Sequence, residues 1–211
     1  MWVIAVSAAV RPLPSGLAEK LAGAAELFAE RGLDATRVDE VARVTGIPRA
    51  TLYYYFPGKE HMLAHLLVST LSEVAARLEA AASAAGTGRE RLECVIREHL
   101  AFIAESGATY RLLFAELGRA VSLVDVGQVV DRAVKAPLRT VLRAGADDGS
   151  LRVADVRAAA SVIHGAVLVT GLEQLVVPAD SADDRVDAIL AVMFEGLGAD
   201  QAGDRGRGGS T

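Results

Sequence analysis

The stretch TRVDEVARVTGIPRATLYYYFPGK, from Thr36 to Lys59, leaves this chain few ways to fold. A helix-period run is interrupted at Gly46, reopened at Pro48 and stopped at Pro57-Gly58. Gly46 supplies the left-handed backbone that a sharp helix–helix turn needs. Pro48 opens a helix at the point where a missing N–H costs little. Thr36 and Asp39 match a capping box, with Thr36 as cap and Asp39 at the third helical position. The first of the two short helices buries Val38, Val41 and Ala42, and the second turns Leu52, Tyr55 and Phe56 to the same small core.

That packing leaves Arg49, Ala50, Thr51, Tyr53 and Tyr54 on the outside of the second helix. Threonine and tyrosine hydroxyls suit phosphate oxygens, arginine suits a guanine edge or a phosphate, and alanine can touch a thymine methyl. Helix N-termini near Arg37 and Lys59 add donors and partial positive charge. A braced helix with such a face is what reading the DNA major groove requires.

The remainder is predicted to be all-α. Hydrophobic residues make up 52% of the chain and aromatics only 5%, and strand-like alternation is almost absent. Ser15 caps a helix running to about Arg31, with Leu17, Leu21, Ala24, Ala25 and Phe28 on one face and Gly32 as its stop. A long helix from Lys59 to about Ala85 carries Leu63, Leu66, Leu67, Leu71, Val74 and Leu78 as its apolar stripe. Beyond Gly86-Thr87-Gly88, helices are expected at about 89–106, 110–117, 122–146, 153–177 and 183–197. Ser106-Gly107, Gly118, Asp147-Asp148-Gly149 and Pro178 separate them. This divides the chain into an arm (1–14), a helix-turn-helix domain (15–58), a larger helical regulatory and dimerisation domain (59–198) and a disordered tail (199–211).

Charge narrows the partners. A formal net charge of −5 argues against a general polyanion binder. Residues 1–60 are locally neutral, so a DNA-contacting face on an acidic protein is compatible with the chain, with weak non-specific binding. Cys94 is the only cysteine, which excludes an internal disulfide or a cysteine zinc site and fits a reducing, cytoplasmic setting. The apolar N-terminus lacks the preceding positive charge of a signal peptide. The run Val162–Leu172 is expected to be too short and interrupted for a membrane span.

The run LFAERGLDATRVDEVARVTGIPRATLYYYFPGKEHMLAHLL closely resembles the N-terminal domain of the tetracycline-repressor (TetR) family of bacterial regulators. The resemblance covers about residues 15–67, with the T-x-x-x-x-x-A-x-x-x-G pattern and LYYYFPGKE as its most specific parts. It implies a homodimeric transcription factor, most often a repressor, that a small ligand releases from an inverted-repeat operator. Carried over residue by residue, Thr36 and Arg37 would approach phosphate, and Arg49, Ala50 and Thr51 would lie over bases and backbone. Tyr53 and Tyr54 would clamp phosphates, Tyr55 would be structural, and Lys59 would contact a backbone phosphate. Pro48 departs from the family, which often has a phosphate-bonding Ser cap there.

Past that run the resemblance names no residues, and periodicity carries the reading. Ala159–Val177 is apolar almost all round, with Gly165 and Gly171 allowing close helix approach. The next helix carries Val186, Ile189, Leu190, Met193 and Leu197 as a stripe. These helices, near 154–177 and 183–197, are the candidate dimer interface. A ligand cavity is expected between residues 89 and 175, lined by His99, Phe102, Tyr110, Phe114, Leu138, His164 and Leu168. Pro137 should kink its helix. The aliphatic lining favours an apolar effector.

Other chemistries find little support. His61 and His65 have the four-residue spacing of a zinc pair but lack a third ligand nearby, so no metal or cofactor is expected. Cys94 and His99 are too far apart around a helix for a catalytic dyad, and no phosphate loop or nucleophile elbow is present. An enzyme is therefore not expected. The alternative is a small-molecule-binding or protein-interaction dimer whose DNA-binding head is inactive.

Overall fold

A computed structural model of the chain describes residues 13–117, 128, 130–176 and 182–195, and every regular element among them is helical. The short helices come first: α1 (Ser15–Ala22), α2 (Ala25–Ala35), α3 (Val38–Thr45) and α4 (Arg49–Tyr55). The longer ones are α5 (Lys59–Ala82), α6 (Gly88–Glu105), α7 (Gly107–Leu117), α8 (Ala136–Asp147), α9 (Val156–Val176) and α10 (Ala182–Glu195), with a π-helical turn, Asp131–Lys135, leading into α8. The all-α expectation holds. The expected arm (all but its last two residues), the tail, Leu197 and the separators Gly118 and Pro178 lie outside the described residues.

Several boundaries differ from expectation, each for a local reason. The single helix expected from Ser15 to Arg31 is two, because the chain turns at Gly23, whose N–H bonds back to Leu21 and Lys20. Gly32 does end regular helix, with φ 73° and ψ 170°, and one short turn follows it. The capping box sits one residue later than predicted. Arg37 is the cap, and its N–H donates to the Glu40 carboxylate at 3.0 Å. Thr36 instead donates its hydroxyl to the Gly32 carbonyl at 2.7 Å. Thr36 is only 1% exposed, so its hydroxyl needs an internal partner, and the carbonyl freed by the break at Gly32 supplies one. Gly46 adopts φ 65° as the turn requires. Pro48 takes the cap position of α4 rather than its first turn.

Helix α5 is a wall shared by two cores. Its first half (Met62, Leu63, Leu66, Leu67) closes over Leu21, Phe28, Val41, Ile47, Leu52 and Phe56 of the short helices. Its second half (Val74, Leu78, Ala82) packs with α6, α8 and α9 through residues such as Ile96, Phe102, Val141 and Val167. Burying each such side chain is worth about 1.5–3 kcal/mol. Helix α7 ties the halves together: Leu112 is wholly buried in the first core and Arg111 donates to Glu26 of α2 at 2.6 Å.

The start of α6 shows why its Gly-Thr-Gly break is placed where it is. Thr87 and Glu90 form a reciprocal capping box, and the Asp148 carboxylate accepts the Gly88 N–H at 2.7 Å. Gly88 also lies directly on Gly145 of α8, where a Cβ would overlap backbone atoms. Downstream, Pro137 cannot offer the N–H that an α-helix would use at that position, and the chain winds as the π turn just before it. A π turn thus stands just before the position where the kink was expected.

Candidate functional site

Helix α4 stands against the first core through Leu52 and the following Phe56, both wholly buried. Tyr55 packs on the same core. At helical spacing this turns Arg49, Ala50, Tyr53 and Tyr54 to solvent, with Thr51 half-buried at the edge. Tyr53 and Tyr54 are 46% and 62% exposed, high values for such large apolar rings. Tyr54 meets Tyr55 edge-to-face at 5.0 Å.

Arg49 is held in place rather than waving free. It donates to the Asp39 carboxylate at 2.7 Å, and its guanidinium lies over the Tyr53 ring at 5.4 Å. Its bond to Tyr53, then the Asp39 charge, keeps the guanidinium protonated above its ordinary range. Arg37 caps α3 and is exposed beside it. The Glu40 carboxyl is held below its ordinary range, first by the Arg37 backbone N–H and then by Arg31, which pairs with it.

Two predicted phosphate contacts sit differently. Thr36 is buried with its hydroxyl turned inward, so it shapes the turn instead of presenting a hydroxyl outward. Lys59 donates Nζ to the carbonyls of Asp34 (2.9 Å) and Thr36 (3.2 Å). It clamps the end of α2 to the start of α5, beside the chain's entry to Arg37. Sequence reading did not anticipate that clamp, nor the Asp39–Arg49 pair, whose only signal was an acid ten residues from a base across a tight turn.

The second predicted site divides in the same way. His99, Phe102, Tyr110 and Leu138 are buried, and Leu168 packs against the same core. His99 and His164 lie parallel with ring centroids 6.0 Å apart, and Tyr110 reaches His99 Nε2 at 3.4 Å. Phe102 meets Tyr110 edge-to-face at 6.2 Å. Phe114 does not join them: it is 37% exposed, outside both cores. Burial pushes His99 down to about 3, with some help from His164. Burial and the charge of Lys135 push His164 down to about 4. Both rings are therefore neutral near pH 7, and burial raises the Tyr110 phenol above its usual range.

Sequence reading also missed Arg77 on α5. It pairs with Glu73 (3.1 Å), Glu98 (3.3 Å) and Glu105 (2.8 Å), and lies over the Phe102 ring at 5.0 Å. The apolar helices α9 and α10 are only half spent within the chain. Val186 and Leu190 of α10, expected at a subunit interface, are buried within the chain's own core. Gly171 is likewise internal, against Ile103, whereas a Cβ on Gly165 would meet nothing. What remains outward is Val162 (70% exposed), Val169 (55%), Val176 (77%) and Val192 (51%). By length and composition alone α9 could cross a bilayer, yet Ala160, Ile163, Val167 and Gly171 on its other face are packed inside, as in a core helix.

Comparison with known proteins matches both halves. The family "Bacterial regulatory proteins, tetR family" matches residues 21–66, and "Tetracyclin repressor-like, C-terminal domain" matches residues 85–170. The Fatty acid metabolism regulator protein of Bacillus subtilis is 27% identical over 148 residues, covering 68% of this chain and 75% of that protein. Among solved structures, the TetR family transcriptional regulator PfmR from Thermus thermophilus superposes with a TM-score of 0.71 at 25% identity, covering 85% of this chain and 99% of that one. The regulator FadR from Bacillus subtilis, solved in complex with stearoyl-CoA, superposes with a TM-score of 0.69 at 22% identity, covering 87% and 98%.

Proposed function

The chain belongs to the TetR family of bacterial regulatory proteins, and from that premise we propose that it is a homodimeric repressor released from an inverted-repeat operator by a lipophilic, acyl-type effector. The observation that carries this reading is the outward face of α4, where Arg49, Ala50, Thr51, Tyr53 and Tyr54 stand over a buried Leu52 and Phe56. An inactive head would have no need of these groups. Arg37 and Tyr54 supply phosphate contacts, and Arg49 supplies the base contact once it leaves Asp39.

Two such heads must sit about 34–36 Å apart to enter successive major grooves. The exposed valines of α9 and α10, with the open Gly165 between them, supply the surface through which two copies pair. The head comprises residues 15–58, and the helical body 59–198 senses and dimerises. A protein that reads genomic DNA works in the cytoplasm. An acyl-type effector is favoured by the aliphatic second core around His99, Tyr110 and His164, and by what the similar proteins are named for or hold.

The test is selection of genomic fragments by the folded dimer, then fluorescence anisotropy with the recovered sequence. The expected result is an inverted repeat with half-sites about one helical turn apart, released by long-chain acyl-CoA. A folded dimer that enriches no sequence would overturn the reading.

A further inference from the structure

One group in the second core has no place in its packing. His164 Nδ1 is buried and has no hydrogen-bond partner among the described residues. An imidazole nitrogen in that position loses water without gaining a replacement bond. Beside it lie His99 and the Tyr110 hydroxyl, already in contact with one another, and the core they share is built from aliphatic side chains such as Leu138, Ile163 and Val167. We propose that His164, backed by His99 and Tyr110, is the polar end of the effector site and takes one uncharged hydrogen-bonding group, a carbonyl or a hydroxyl, of an otherwise apolar ligand in preference to a carboxylate. This rests on the effector reading above and specifies its chemistry.

The preference follows from charge. Both imidazoles are neutral, so each can offer or accept one hydrogen bond but supplies no countercharge. Lys135 is the cation whose charge bears on His164, and it lies on the π turn beside Asp131. Asp131 is itself bound by Arg139 through both oxygens, at 2.6 and 2.9 Å. A carboxylate entering the histidine pair would lose its hydration among aliphatic groups, with Lys135 shared. A neutral oxygen would gain the missing bond at no such cost.

The experiment uses the full-length protein and three probes of equal chain length: decanoyl-CoA, 1-decanol and decanoate, each titrated by calorimetry. The wild type should bind the first two at least about tenfold more tightly than decanoate. His164→Phe should weaken decanoyl-CoA and 1-decanol about fivefold to tenfold, the loss of one hydrogen bond. His164→Asn, which keeps a polar atom near the Nδ1 position, should restore most of it. Both variants should keep the wild-type helicity and a cooperative thermal unfolding, showing that they fold. Should His164→Phe fail to fold, the ¹⁵N resonance of His164 Nδ1 in the wild type decides: it must move when 1-decanol binds. Binding that is indifferent to His164→Phe, or a resonance unmoved with 1-decanol bound, overturns this proposal alone and leaves the acyl reading standing. Tightest binding of decanoate, lost in Lys135→Met, overturns it in favour of an anion site. If none of the probes binds, the acyl reading falls and this proposal falls with it.

Discussion

Arg49 has two partners in the free protein, Asp39 and the Tyr53 ring, and must leave at least the first to reach a base. Both it and Asp39 are more than half exposed, so the pair itself contributes little stability. Its role is to hold the arginine over α4. Asp39→Asn should therefore tighten binding to all DNA sequences a few-fold and steepen the salt dependence by about one ion, since it removes a negative charge that faces the DNA backbone while loosening the hold on Arg49. Arg49→Ala should cost about 1–3 kcal/mol of discrimination at a single base pair, whereas Tyr54→Phe should weaken every site evenly. Anisotropy against the operator and its single-base variants separates them, and an unaltered site preference in Arg49→Ala would remove the base contact from that residue. The outward positions of α4 were legible because helical spacing alone sets 49, 50, 53 and 54 opposite 52 and 56. Thr36 and Lys59 were not legible. Their directions depend on carbonyls released by the turn after Gly32, which no periodicity reports.

Among the elements, α6 is fixed at its start by backbone contact and at its middle by a buried histidine. Gly88 was readable as a break, but its reason, the approach of Gly145 from α8, needed the fold. Gly88→Ala puts a methyl group into backbone that no rotamer change can clear. It should lower Tm by roughly 5 °C or more, while Gly165→Ala, in open space within the chain, should leave the isolated subunit's Tm unchanged or raised. The histidines add a pH dependence of definite sign. Their folded pKa values, about 3 for His99 and about 4 for His164, lie below the ordinary value of 6.5. The unfolded chain thus binds more protons between those values and pH 6.5, so the stability is present in full above about pH 6.5 and drains away on acidification. At pH 5 the loss from His99 should be about 2 kcal/mol, with less from the partly exposed His164. Urea unfolding at pH 7 and pH 5 should show it, and His99→Phe should flatten the difference. A pH-independent midpoint in the wild type would mean that the two rings are not buried as described.

At the scale of the whole molecule the decisive surface is the one the chain does not cover for itself. Sequence reading picked out α9 and α10 as apolar but not which face each leaves outward, because an element apolar all round gives no phase: Val186, Leu190 and Gly171 turn inward while Val162, Val169 and Val176 turn out. The last three are seven residues apart, so they run down one side of α9 as a seam. A charge at its centre tests whether that seam joins two subunits. Val169→Asp alters an exposed position, so the isolated subunit should keep its helicity and its thermal unfolding. In a dimer the carboxylate would be buried against its own two-fold copy, two like charges out of water with nothing to offset them. Sedimentation at micromolar concentration should then find monomers. Operator affinity should fall about a hundredfold or more, because one head retains its contacts but loses the second, tethered binding event. Joining two Val169→Asp subunits through a flexible linker long enough to let both heads reach their half-sites should recover much of that affinity, since the heads are untouched. If Val169→Asp remains a dimer with full operator binding, the valine seam is not the interface, and the pairing surface must be sought on another face of the body.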